Sequence, residues 1–278
     1  MRKSKWFWVK DTETAGSLLN PLVYDDGFKI TNRKGEVAER MSIVVRDIYE
    51  GQKEIMETAY YAKKLPKYEV KLASGERQMM SFYELRQLFI ELSNKYDARE
   101  VYAYNMNFDR RALNNTMRFV TNNKYKYFFP FGTKFHCIWN MACQVLLARP
   151  SYIKFALKNG YVSEKGNILT NAECCYRYIT KNTDFVEEHE GIDDVEIEAE
   201  ILLECLRQHK KMDTKPNQGC WRMVQKKEKK WDYKISFFFF LGVDIILNLW
   251  YIIYRKEKEK KDESKRTNQN IRKVSAGH

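Results

Sequence analysis

A mixed α/β sheet flanked by helices is the fold class this sequence predicts. Three observations lead there. Strand-like runs open the chain around a tight turn, apolar residues then fall at helical spacing over 81–96, and strand and helix patterns alternate onward to about residue 208.

The elements follow in order. "WFWV" at 6–9 reads as a buried strand, and "PLVYDDGFKIT" (21–31) and "VAERMSIVV" (37–45) as two more. "NRKGE" at 32–36 supplies the turn of an antiparallel hairpin. Residues 50–80 are charged and irregular, with helix expected around "EIMETAYYAKK". In "SFYELRQLFIELSNKY" (81–96), Leu85, Leu88, Phe89 and Leu92 share one helical face, and Ser81 with Glu84 makes a capping box. "REVYAYN" (99–105) is a strand, a helix starts near 108, and "KFHCIW" (134–139) is the next strand. Helical segments complete the region.

The 278 residues have room for one large domain with an appendage, and an apolar fraction of 44% supports a core. The net charge of +12 favours a polyanionic partner or a membrane surface. None of the six cysteines forms a C-x-x-C pair and no secretory signal leads the first strand, so reduced, buried thiols in an intracellular, cytoplasmic protein are expected. Adjacent Cys174 and Cys175 fit packing on a helix face better than reactivity.

Carboxylates sit at element ends. In "WFWVKDTETAG", Asp11 and Glu13 are two apart on a strand and point to one face, where two ionised groups repel. Asp109, at the start of a helix, is on its own better explained by the helix dipole. In "EEHEGIDDVEIEAEILLECL", positions 195, 199, 202 and 206 form an apolar stripe with glutamates expected on the other faces, and Asp193 or Asp194 suits the first turn. Taken singly, each acid has such a structural explanation. Converging on one sheet edge, they stay ionised at neutral pH only around cations. Carboxylate oxygens without a Cys or His cluster suit Mg²⁺ or Mn²⁺, and two such ions clamp a phosphodiester for in-line attack while a nearby histidine takes the proton of water.

"DTET" (11–14), "NMNFD" (105–109) and "HEGIDD" (189–194) resemble, in order, the three motifs of the DEDDh, or DnaQ-like, 3′–5′ exonucleases. The resemblance covers roughly residues 5–210. It implies a ribonuclease-H-like fold, with a five-stranded mixed sheet and helices on both sides. It also implies that Asp11, Glu13, Asp109 and Asp194 hold two Mg²⁺ or Mn²⁺ ions, Asp11 being shared, and that His189 is the general base. The family's spacing selects Asp194 over Asp193. Asn105 and Phe108 would shape the second motif, and Thr12 would meet the 3′-terminal nucleotide through its backbone. The chain departs from the family at Lys10, which replaces an apolar residue and points away from Asp11. It departs again at 50–80 and at "KYKYFFPFG" (124–132), which have no clear counterpart. In that last stretch Tyr125 and Tyr127, flanked by lysines, suit stacking on single-stranded bases, whereas Phe128 and Phe129 suit the core.

The expected organisation is an exonuclease domain at 1–210, a basic linker at 211–234, a hydrophobic helix at 235–254 and a charged, disordered tail at 255–278. The hydrophobic stretch is long enough to span a bilayer, but Asp244 makes insertion only marginally favourable, and docked or interfacial alternatives stay open. The expected activity is metal-dependent 3′–5′ hydrolysis of single-stranded DNA or RNA ends, alone or beside a polymerase or replication complex. Two alternatives are a non-catalytic nucleic-acid-binding module that keeps the fold, and a membrane-associated protein whose role lies in the tail.

Overall fold

Asn32 closes the hairpin that fixes the sheet's register. Its Oδ1 accepts from the backbone N–H of Lys34 (2.9 Å) and Glu36 (3.3 Å), and Gly35 takes a φ of +83°, where a Cβ would be strained. These contacts belong to a computed structural model that describes residues 5–59, 63, 65–187 and 189–225. Strands β1 (Trp6–Ala15), β2 (Leu22–Asn32) and β3 (Val37–Val45) run antiparallel in succession. Beyond them, β4 (Gln78–Met80) joins β3 in parallel, while β5 (Glu100–Ala103) and β6 (Lys134–Cys137) extend the other side in parallel. The order is β4-β3-β2-β1-β5-β6.

The mixed sheet flanked by helices is therefore the one expected, with six strands in place of five. The extra strand, β4, is three residues long at the sheet edge, too short for any periodicity to mark it. The first strand also runs to Ala15, well past "WFWV", so Asp11 and Glu13 lie within it.

Short helices α1 (Arg46–Tyr49) and α2 (Lys53–Met56) and the longer α3 (Leu65–Ser74) fill the charged region. Helix α4 (Phe82–Lys95) begins with the capping box: Ser81 Oγ accepts from the Glu84 N–H, and the Glu84 carboxylate accepts from the Ser81 N–H. Helix α5 (Met106–Thr121) packs beside α4 on one face of the sheet, in a core with Trp8, Phe28, Ile30 and the buried Phe128 and Phe129. On the other face lie α6 (Ile138–Ala142), a π-helical turn (Cys143–Leu147), α7 (Pro150–Lys158), α8 (Ala172–Thr180) and α9 (Gly191–Arg207), around Phe7 and Val9 of β1. All six cysteines are buried free thiols, and Cys174 and Cys175 pack along α8.

The domain reaches past residue 210. Asn140 Nδ2 donates to the carbonyls of Asp213 (3.0 Å) and Lys215 (2.9 Å), and Cys220 and Val224, the latter in α10 (Arg222–Gln225), are fully buried. The residues read as the first part of a linker are thus tied down, by contacts that composition does not show. The hydrophobic stretch 235–254 and the tail 255–278 lie outside the described residues. Among the described residues no helix is long and apolar enough to cross a membrane.

Lys10 is the largest departure in the core. It does point away from Asp11, but into the interior: the side chain is 1% exposed, and Nζ lies 2.7 Å from Asp26 Oδ2 among the rings of Trp8, Phe28, Phe89 and Phe128. Burial pushes the Asp26 carboxyl up even with Lys10 beside it, and Asp26 Oδ1 has no hydrogen-bond partner. Breaking such a pair strands a buried charge, whereas replacing both members removes the desolvation cost. Lys10→Met should therefore cost ~3–5 kcal/mol in urea unfolding, and Lys10→Met/Asp26→Leu should recover most of that loss. Additive losses in the double variant would contradict this account.

Candidate active site

Strand alternation puts Asp11 and Glu13 on the α9 face of β1. Across the ladder, Asp11 stands opposite Gly27 and Glu13 opposite Asp25, just before a bulge between Glu13 and Thr14. Gly27 matters because nothing larger fits. A Cβ there would come within 2.2 Å of the backbone C and O of Gly191, the first residue of α9. Two glycines thus let β2 and α9 meet backbone to backbone.

Buried charges pin that contact. Asp25 Oδ2 accepts from the Gly191 N–H (3.1 Å) and the Tyr68 hydroxyl (2.7 Å), while Asp25 Oδ1 pairs with Arg77 Nη1 (2.7 Å). Arg77, 2% exposed, lies over the Tyr68 ring and also bonds Glu190 Oε2 (2.8 Å), which Lys71 bonds as well. Burial opposes the Glu190 charge, but hydrogen bonds from Lys71 and Arg77 outweigh it and hold the carboxyl below its ordinary range. Residues 65–80, without a clear counterpart in the motif resemblance, supply Tyr68, Lys71 and Arg77 to this clamp.

The clamp fixes what stands on either side of it. His189, immediately before Glu190, takes a φ of +50°, and its Nδ1 lies 3.8 Å from Glu187 Oε2. Asp194 lies in the first turn of α9 and is 5% exposed. Ligand atoms of Glu13, His189 and Asp194 all lie within 4.8 Å of one another. Asp193 turns away, 3.9 Å from Lys71.

Asp109 arrives from the opposite side. Asn105 is the N-cap of α5, its carbonyl accepting from the N–H of Phe108 (2.7 Å) and Asp109 (3.4 Å). That places Asp109 in the first turn, 3% exposed, where Thr12 Oγ1 donates to its Oδ1 at 2.9 Å. Phe108 is half-buried under the Arg111 guanidinium, and Asn105 is exposed.

Electrostatics shows how tightly the acids share the space. Burial first, then Asp109, Asp194, Glu187 and Asp25, push the Asp11 carboxyl well above its ordinary value. Burial pushes Asp109 up to about 7 despite the hydrogen bond from Thr12. Glu198 belongs to the same cluster and was not expected there. It is 3% exposed, its Oε2 has no hydrogen-bond partner, and burial, Asp11, Asp109 and Asp194 all raise its pKa. The stripe at 195, 199 and 202 had set the glutamates on other faces of α9; Glu198 is instead one turn beyond Asp194 and faces inward. The four-residue step from Asp194 is the sequence signal that marks it.

Five residues named from the sequence, Asp11, Glu13, Asp109, Asp194 and His189, are thus brought together, with Thr12 beside Asp109. Tyr125 and Tyr127 are not. They are exposed in the loop after α5, which the Phe128 N–H ties back to Asn114 Oδ1 on the helix. The clustered donors are mostly hard carboxylate oxygens, of which those of Asp11, Asp109 and Glu198 have raised pKa values, and Glu198 Oε2 is buried without a partner. This donor set fits a divalent cation such as Mg²⁺ or Mn²⁺.

No protein-family model matches the sequence, and no curated protein matches it. Among solved structures, the chain is similar to E. coli exonuclease I in complex with a dA16 oligonucleotide, at 14% identity and a TM-score of 0.47 over 81% of this chain and 43% of that one. It is similar to the zinc-bound form of the same enzyme with single-stranded DNA, at 13% identity and a TM-score of 0.49, over 75% and 42%. It is also similar to cell-death related nuclease 4 (CRN-4), at 11% identity and a TM-score of 0.42, over 73% and 64%. The chain spans less than half the length of the exonuclease I chains. Likenesses this distant assign no activity; the side chains have to carry it.

Two outcomes follow from the geometry. Gly27→Ala should force β2 and α9 apart and destabilise the fold by ~2 kcal/mol or more, as strain in a packed interior does; unchanged urea stability would show that the contact is slack. Second, Asp109 binds its proton more tightly folded than unfolded, so its stabilising contribution in metal-free protein is complete at acid pH and lost as pH rises through about 7. Melting temperatures between pH 5 and 8 in EDTA should fall over that window, and Asp109→Asn should flatten the fall. An equally steep fall in the variant would place the titrating group elsewhere.

Proposed function

We propose that this chain is a metal-dependent 3′–5′ exonuclease acting on single-stranded nucleic-acid ends. The observation that carries the reading is the convergence of Asp11 and Glu13 from β1, Asp109 from α5, and His189 and Asp194 from the start of α9. Three segments far apart in sequence deliver four acids and one imidazole to a single place. The 3′–5′ direction follows from the motif resemblance.

Asp11, Glu13, Asp109 and Asp194 would hold Mg²⁺ or Mn²⁺, which when bound supplies charge neutralisation for the phosphodiester and the attacking and leaving oxygens. The chain's own residues do the rest. His189, half-exposed with Glu187 beside Nδ1, is placed to take the proton of water as its oxygen bonds to phosphorus. The phosphorus–O3′ bond breaks, the shortened strand keeps that oxygen as its new 3′-hydroxyl after protonation, and a nucleoside 5′-monophosphate leaves. Thr12 fixes one oxygen of Asp109, and the Arg77 clamp fixes the backbone next to His189. Leu18 and Leu19, in the loop after β1, are 77% and 79% exposed and offer apolar contact to a terminal base.

The test is digestion of 5′-labelled single-stranded DNA and RNA with Mg²⁺, with Mn²⁺ or with EDTA. A ladder shortening from the 3′ end, dependent on metal and abolished by Asp11→Ala, is expected. His189→Ala should slow it by roughly 10²–10⁴-fold while leaving Mn²⁺ binding by calorimetry largely intact. A folded protein that binds the oligonucleotides without cutting either would instead be a binding module. A full rate for His189→Ala would remove the general-base assignment.

A further inference from the structure

The aromatic and basic residues at the far end of α5 find no use in the catalytic cluster, yet their arrangement is specific. Phe128 and Phe129 anchor the loop after the helix in the core, and Asn114 Oδ1 accepts from the Phe128 N–H at 3.0 Å. Arg86 holds the loop from α4, its Nε donating to the carbonyls of Tyr127 (3.2 Å) and Phe128 (2.9 Å). So anchored, the loop leaves Tyr125 75% exposed, Tyr127 56% and Phe131 fully exposed. Each tyrosine ring has a cation over it: Lys124 Nζ lies 5.0 Å from the Tyr125 centroid, and the Arg118 guanidinium 5.6 Å from that of Tyr127.

Charge connects this platform to the carboxylates. Between Asp109 and Glu164 the sequence holds nine Lys and Arg and no Asp or Glu. Arg111 and Arg118, seven residues and about two turns apart, share the outward side of α5, one near each end. The helix thus carries cations from the first turn, where Asp109 is buried, to the exposed rings. Large exposed aromatics held rigidly among cations are poor solvent-facing residues, and they match what single strands offer: π-faces on a polyanionic backbone.

We propose that the outward side of α5 and the Tyr125–Tyr127 platform form a second contact for the substrate strand, upstream of the cleaved end. This rests on the exonuclease reading above and specifies its substrate. With the 3′ end at the carboxylates, the platform meets nucleotides upstream of it, so longer strands reach both contacts and the shortest ones only the first. The platform stacks on bases without reading them, so it selects length and single-strandedness rather than sequence.

The test compares binding of 5′-fluorescein dT12 and dT3 to the full chain in EDTA, by fluorescence anisotropy. The wild type should favour dT12, Tyr125→Ala/Tyr127→Ala should lose at least tenfold of that preference, and Tyr125→Phe/Tyr127→Phe should keep it, because stacking needs the ring and not the hydroxyl. An unchanged preference in the alanine pair would overturn the proposal, as would an equal loss in the phenylalanine pair. Adding Mg²⁺ to wild type with dT12 checks the underlying reading separately. Absence of cleavage there would overturn the exonuclease assignment, while the effect of the two rings on dT12 binding would still decide the platform.

Discussion

Everything at the site depends on two backbones being allowed to touch. The α9 side of β1 carries acids, and α9 has to bring another acid and a histidine over it. A side chain at Gly27 or Gly191 would hold the helix off and leave these groups apart. Backbone contact alone is weak, so Asp25, Arg77, Glu190 and Lys71 surround it with hydrogen-bonded charges that are worth having only in this geometry. Arg77 suits the task because its planar fork reaches two carboxylates while its face covers Tyr68. The helix start is thereby fixed at both levels, by the absence of side chains at the contact and by charge around it.

That rigidity sets the electrostatics. Asp11, Asp109 and Glu198 are crowded into a low-dielectric space with Asp194, and each is easier to protonate than in water. The fold opposes this repulsion with attachments elsewhere: Thr12 bonds Asp109, the clamp holds α9, and the two hydrophobic layers pack β1 from both faces. Carboxylates crowded in this way are donors whose repulsion a divalent cation would relieve. The same crowding takes in Glu198, although it stands outside the four acids of the motifs.

Local signals in the sequence reported local structure faithfully. The Asn32–Glu36 turn, the Ser81–Glu84 box and the Asp11–Glu13 alternation each concern residues within a few positions, and each is found in the fold. The ordered motifs also marked five residues that the chain brings together. What stayed hidden depends on partners distant in sequence. Lys10 reads as a strand lysine until Asp26 and four rings enclose it. Arg77 reads as part of a charged stretch until Asp25 and Glu190 meet it. Glu198 looked like one glutamate among several on a helix, because the apolar stripe beside it dominated the pattern. The location of Tyr125 and Tyr127 is set by Asn114, Arg86 and the burial of Phe128 and Phe129, which hold their loop, and composition alone does not show those contacts.

The burial of every cysteine gives the molecule a built-in reporter. A buried thiol is shielded from reagents, and Cys174 is pushed up to about 11 by its burial. Modification of the native protein must then await an opening of the chain around each sulfur. Cys137 ends β6 and Cys143 opens the π-helical turn, Cys174 and Cys175 lie on α8, Cys205 on α9, and Cys220 just before α10. Timed alkylation with mass spectrometry therefore maps, segment by segment, which part of the fold from β6 to α10 breathes first.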